Sequence, residues 1–441
     1  MSELSQLIID KYKTRDQLIN KGIWQNEIYH TSSSINTSDR SWIWKILLLH
    51  SDNQNDTENN TNTSNKYITS DDILMNSLYT LVSVPLLSKT QSQSDDKHHS
   101  PKLKTTLFNP LKHIMANDKN NKRIRKLTPN ETHSHPLLIS PDSNNNNDDD
   151  DPSIEIGMNI NDTLEIIDLD LSRLIVSPIF QDPFVHGLMR KILFNYLLIS
   201  NKDNNNTDDI LKQTYHYRQG FHEILAVIFL QFYHKDTTIT EEQIKFILFI
   251  FIKLMDPLRL TFYQESQLLT WQQSYFIRIL KLCDLDLYKI LYGDDTSMNN
   301  HNLIWLIRWT RLLFLRELPM EDCLVIWDHI LTFSYSMDVM VACLVISILV
   351  VVKKDLIKID KDEQMDNDDI IEYLLQFDKR GSKLNVLQVC KLSGLLCEAW
   401  ESGHWKDLNK IILNHIRNNN IDPNRKRLED KLRKRVQKII E

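Results

Sequence analysis

Arg308-Trp309-Thr310-Arg311-Leu312-Leu313-Phe314-Leu315-Arg316-Glu317-Leu318-Pro319-Met320-Glu321-Asp322, running on to Ile326-Trp327-Asp328, decides how this chain is read. It lies across two segments, Leu303–Leu315 and Glu321–Thr332, whose apolar residues recur at three- and four-residue spacing. That period predicts helices. Trp309, Phe314, Pro319 and Trp327 stand among apolar neighbours and are expected in the core. Asp322 and Asp328 are expected to cap or orient helices within the block.

The same spacing extends outward to Phe184–Leu198, Gly220–Tyr233, Glu241–Leu254, Trp271–Leu282 and Met337–Val352, and on through Val386–Ile416. No alternating strand pattern of useful length occurs, so the fold class is all-α. Residues 1–50 also read as helical, with Asp39 as N-cap of a Trp-rich helix beginning at Arg40. From Ser51 to about Ser153, Asn, Asp, Ser and Thr dominate. Such tracts bury too little apolar surface to offset ordering entropy and are expected to be mostly disordered. Within them Ile73–Val84 is a helix-like island able to dock on the folded body. The basic run Lys119–Lys126 reads as a solvated loop, with a localisation signal as the other reading. Asn201–Asp209, Asp294–Asn300 and Asp362–Asp369 read as loops between helices. Pro423 opens a final basic helix with Leu428, Leu432 and Val436 on one face. Packing on its own domain and a membrane-surface role both fit that pattern, and the first is the commoner fate.

Composition narrows the function classes. The 441 residues carry a formal net charge of −7, which argues against nucleic acid as main partner. Among 8 glycines none stands at GxGxxG or GxxxxGK[ST] spacing, so the usual phosphate-cradling loops are absent. Cys283, Cys323, Cys343, Cys390 and Cys397 show no CxxC spacing and are expected to be buried thiols in a reducing compartment. The N-terminus shows no signal core, and the apolar run Val339–Val352 is too short to span a bilayer and reads as a buried helix. His222-Glu223 lacks the second histidine of HExxH, because position 226 is Ala. No metal and no cofactor is expected.

Two short runs carry chemistry. Ile167-Asp168-Leu169-Asp170-Leu171-Ser172-Arg173 contains IxxDxxR, and Tyr217-Arg218-Gln219-Gly220 reads YxQG. Together they offer a guanidinium and a carboxamide. The first can neutralise charge on transferred phosphoryl oxygens, and the second can hold an attacking water in line. Asp170 shares a helical face with Arg173 and could preset its direction, although an ordinary surface Asp–Arg pair has the same spacing. Ser177-Pro178 places Arg173 near a helix end. Gln219 stands at a helix start, aimed outward. Gly220 leaves room for a partner's backbone to approach.

Taken in order, IxxDxxR, YxQG and the block Arg308–Asp328 resemble the TBC domain of Rab GTPase-activating proteins. Arg40 and Trp44 match that family's opening RxxxW. The resemblance covers most of 30–355. It implies a two-lobed all-helical domain: N-terminal helices in 1–50, the low-complexity insert 51–153, a catalytic lobe in 154–300, a C-terminal helical lobe in 301–416, then a basic helix in 417–441. It implies Arg173 as arginine finger and Gln219 as the glutamine that orients water, with Asp170, Tyr217 and Gly220 in support. GTP and Mg would belong to the partner, a GTP-loaded Rab/Ypt small GTPase. The wording Gln219–Ala226 is similar to a subgroup with retromer-linked members and a fungal GAP for a Golgi–endosome Rab. With no signal core and no spanning run, a cytosolic or peripherally attached protein without a transmembrane segment is expected, and the likeness implies Golgi or endosomal membranes as the place of attachment. Three departures stand out: Leu174 where the family has Thr, QGF for QGM, and the insertion at 201–209. Leu174 and the inserts also suit a second reading, a non-catalytic helical scaffold that binds a Rab or a coat complex. A generic α-solenoid needs a fixed repeat period, and none is present.

Overall fold

Helices with long apolar faces account for nearly all the regular structure in a computed structural model of the chain. It describes residues 10–12, 14–31, 37–49, 81–84, 158–201, 215–233, 238–293, 303–361, 367–377 and 384–419. All fall within one unit, drawn from Met1–Pro85 and Glu155–Glu441. Most of the low-complexity insert, the run 119–126 and the basic segment after 419 lie outside the described residues. Among the described residues there is no β-strand, and one isolated antiparallel bridge joins Met158 to Tyr215. The all-α expectation therefore holds.

The helices used below are Thr37–Leu49 (α1), Ile160–Ser172 (α2), Pro183–Asn201 (α3), Phe221–Leu230 (α4) and Glu241–Phe262 (α5). Glu265–Trp271 (α6) runs through a π-helical turn, Gln272–Ile277, into Arg278–Cys283 (α7). Leu285–Tyr292 (α8), Leu303–Arg311 (α9), Met320–Thr332 (α10), Met337–Asp360 (α11), Asn367–Leu375 (α12), Val386–Glu401 (α13) and Leu408–Asn419 (α14) follow.

Local chemistry explains several boundaries. Asn159 caps α2 by accepting from the Asp162 amide at 3.0 Å. A reciprocal capping box between Thr240 and Gln243 starts α5. Ser336 caps α11, whose residues from Val339 to Val350 are all buried. No helix among the described residues is long and apolar enough to cross a membrane. An apolar helix buried all round belongs in a core, and α11 lies along α13. All five cysteines are buried and free.

The core is bound by aromatic edges. Phe262 meets Trp271, Phe276 meets Trp305, Trp305 meets Trp309, and Trp309 meets Phe377, with centroids 4.9–6.1 Å apart. Trp309, Phe314 and Trp327 are fully buried, as their neighbours predict. Pro319 is not: it is exposed and stands at the N-cap of α10, where a residue without an amide proton leaves no orphan donor.

Other expectations need correcting. The helix expected through Leu315 ends at Arg311, because Leu313 and Phe314 take positive φ of 46° and 68°. That costly left-handed turn is held by buried contacts: the Trp327 indole donates to the Leu313 carbonyl, and the Cys323 thiol lies against the Phe314 carbonyl. Asp39 lies inside the first turn of α1, buried, instead of capping it. The segment 81–84 does dock, through Asn195, which accepts from the Val82 amide at 2.7 Å and donates to its carbonyl at 2.9 Å. It is not helical there, and the rest of the island lies outside the described residues. The loop expected at Asp362–Asp369 is overrun by α12 from Asn367.

Asp328 neither caps a helix nor acts within its own block. Buried in α10, it accepts from the Arg40 guanidinium at 3.2 Å, the Trp44 indole at 2.7 Å and the Tyr29 hydroxyl at 3.1 Å. One carboxylate thus fastens the N-terminal helices to the C-terminal half. This contact is what places Arg40 and Trp44 beside a block almost three hundred residues away.

Candidate functional site

Arg173 is the C-cap of α2, with φ −96° and ψ 0°, and its side chain is exposed. Its amide closes the helix by bonding to the Asp170 carbonyl at 3.2 Å. A cation at that end complements the helix dipole. Gln219 is exposed too, one residue before the N-cap of α4. Both positions face solvent at the end of a helix, as their surroundings in the chain predict.

Asp170 is no surface residue. It is buried on the inner face of α2, at the three- and four-residue spacing of Ile160, Thr163, Leu164, Ile167 and Leu171. Its carboxylate accepts from the Tyr217 hydroxyl at 3.0 Å. Tyr217 is also buried, and the same hydroxyl lies 3.0 Å from Nδ1 of His222. The phenol has one proton and gives it to Asp170, so the second contact calls for a proton on Nδ1. The relay runs from His222 to Tyr217 to Asp170. Burial, with Asp170 adding to it, raises the phenol well above its usual range, so Tyr217 stays a donor. Burial lowers the His222 ring below 6.5, against Asp170 and Glu223 and with Arg316. His222 was read from the chain only as half of a failed zinc helix. Its signal was a polar pair, His222-Glu223, in the first turn of an otherwise wholly apolar helix.

The relay joins the two runs. Asp170 lies three residues before Arg173, and Tyr217 lies two before Gln219. The bridge adds a second tie, with Met158 and Tyr215 exchanging backbone bonds of 3.0 and 2.8 Å.

Gly220 sets the turn that follows Gln219. Its φ is +106°, a region that side chains resist, and a Cβ there would stand 2.9 Å from Leu312 Cδ2 and 3.1 Å from the Tyr263 hydroxyl. The close approach expected from a partner is thus made by the chain's own Leu312 and Tyr263. Tyr263 in turn donates to the Arg311 carbonyl at 2.9 Å, while Arg311 donates to the Phe262 carbonyl at 2.8 Å. Through this glycine the block after α9 buttresses the glutamine loop. A further buttress escaped the sequence reading: Arg316 pairs with both carboxylate oxygens of Glu223 on α4, through Nε and Nη2.

Two of the three departures from the family pattern have structural accounts; the insertion at 201–209 lies, after Asn201, outside the described residues. Leu174 is buried, and its carbonyl accepts from the Gln181 side-chain carboxamide at 3.2 Å. Phe221 fills a slot between Tyr196, Tyr217 and Tyr263, with centroids 5.8, 5.6 and 5.1 Å away and edge-to-face geometry. A larger ring after Gln219-Gly220 therefore serves packing.

The Rab-GTPase-TBC domain model matches residues 135–357, half of the chain. Among solved structures, the crystal structure of the Ypt/Rab-GAP domain of Gyp1p is similar at 18% identity. The likeness covers 55% of this chain and 74% of that one, with a TM-score of 0.42. No curated protein sequence matches the chain. Arg40 and Trp44 precede the matched span, yet both bond to Asp328 inside it. The matched span contains Arg173, Gln219, their relay and the buttressing block, and on that match the chain belongs to the Rab-GTPase-TBC family.

Proposed function

We propose that this chain completes the active site of a GTP-loaded Rab/Ypt-type GTPase, lending Arg173 and Gln219 across the contact. Membership of the family supports the general activity, activation of a Rab GTPase. The finer reading rests on the Asp170–Tyr217–His222 relay, which ties the helix end bearing one exposed group to the loop bearing the other. In it, the Arg173 guanidinium neutralises charge on the phosphoryl oxygens as the bond to the leaving phosphate lengthens. The Gln219 amide aligns the attacking water. Asp170, Tyr217 and Gly220 hold the two in register. Nucleotide and magnesium belong to the partner. Residues 154–300 act as the catalytic lobe and 301–416 as its support, in traffic between Golgi and endosomes.

Single-turnover GTP hydrolysis across a panel of Rabs tests this. An arginine finger contributes about 10³ to 10⁵ in rate, or roughly 4–7 kcal/mol of barrier. Arg173→Ala should lose most of that, and Arg173→Lys should fail as well, because an ammonium lacks the planar fork. Acceleration that survives Arg173→Ala rules the mechanism out. Tight binding of a GTP-loaded Rab with no rate gain would identify a scaffold instead.

A further inference from the structure

The two most exposed large apolar side chains among the described residues follow Arg173 in the chain: Ile175 at 92%, two residues on, and Phe184 at 60%, in the first turn of α3. We infer that they form an apolar contact for the GTPase surface around its nucleotide, a contact that governs affinity and not the chemical step. The inference rests on the reading of Arg173 as a group lent to that partner.

Isolated exposed apolar residues are common and need no account. These two differ in place and in how firmly the backbone presents them. Leu174 turns into the core, and Ile175, next along a non-helical stretch, faces solvent. The Gln181 side-chain carboxamide donates to the Leu174 carbonyl at 3.2 Å and closes the connection between α2 and α3. The Phe180 amide bonds to Ser177, and the Asp182 carboxylate accepts from the Phe184 amide at 2.8 Å, fixing the start of α3. Ile175 thus projects from a braced connection, and Phe184 from the capped first turn of α3. A β-branched isoleucine has few rotamers to lose on contact.

The occupant follows from continuity. Ile175 lies two residues from Arg173. A guanidinium that reaches a nucleotide bound to another protein brings the surface around that nucleotide onto its neighbours. Apolar area buried there contributes equally to ground and transition states. Such binding lowers KM and leaves kcat unchanged.

The test uses the full chain and whichever Rab the wild type accelerates most. Ile175→Ser and Phe184→Ser should each raise KM about tenfold, equal to about 1.4 kcal/mol, with kcat within about twofold. The thermal midpoint should not move, because neither side chain is in the core. Leu413→Ser, at a 57% exposed leucine on α14, which packs on α7 and α13, is the control and should leave KM unchanged. Unchanged KM in both variants, with Arg173→Ala still abolishing acceleration, overturns the apolar contact alone. A lower kcat at unchanged KM overturns it equally. If the wild type accelerates no Rab, or Arg173→Ala leaves the rate intact, the finger reading fails and this contact fails with it.

Discussion

Tyr217→Phe removes one oxygen and little else. The ring is 2% exposed and packs edge-to-face on Phe221 at 5.6 Å, so the packing survives. The loss falls on Asp170, whose buried carboxylate is deprived of a donor at 3.0 Å. His222 Nδ1, 3.5 Å away, is a poor substitute. A hydrogen bond to a charged group contributes about 1.5–3 kcal/mol net. At roughly 2–4 °C per kcal/mol for a domain of this size, the thermal midpoint should fall by about 3–12 °C. The tie between the Arg173 helix end and the Gln219 loop is lost as well. A misplacement near 1 Å costs about a hundredfold in rate, so single-turnover acceleration should drop about ten- to a hundredfold. Asp170→Ala, which removes the acceptor itself, should give a loss of the same order. The double variant should be little worse than either single, because both remove one interaction. Additive losses in the double variant would refute the relay as a unit. An unmoved rate beside a lowered midpoint would show that the hydroxyl serves stability only.

Other outcomes follow from the same contacts. Asp328→Ala leaves the Arg40 guanidinium buried and without its carboxylate, and should cost about 3–5 kcal/mol by urea denaturation. Adding Arg40→Met should recover part of that loss. Gly220→Ala forces a side chain into positive φ against Leu312, and should cost about 2 kcal/mol or more in stability together with most of the acceleration. Burial lowers the rings of both His222 and His329 below 6.5, so the unfolded chain takes up more protons just below that value. Stability is therefore fully present above about pH 6.5 and falls as the pH drops beneath it. His329→Asn should flatten the dependence of the thermal midpoint on pH between 7 and 5.

Much of this was legible in the chain alone. Three- and four-residue spacing located the helices, because an apolar stripe must find a core whatever packs on it. Arg173 and Gln219 were recognisable as exposed because each borders a helix end, a local property of Ser177-Pro178 and of Gly220. Low-order features failed where the answer lay far along the chain. Pro319 has apolar neighbours in sequence but caps α10 in solvent. Asp328 could be guessed as a cap, yet its partners are Arg40, Trp44 and Tyr29.

The amino-acid order by itself determined helix type, the buried cysteines, the all-apolar run of α11 and the kinds of group on offer, since each depends on neighbours within a turn or two. Tertiary structure alone decided which groups meet. It turned Asp170 inward to Tyr217 and set His222 against the same hydroxyl. It filled the space above Gly220 with Leu312 and left Ile175 outside. Helical periodicity is a short-range property of the backbone, whereas a buried carboxylate is satisfied by whatever donors the packing of distant helices brings within 3 Å.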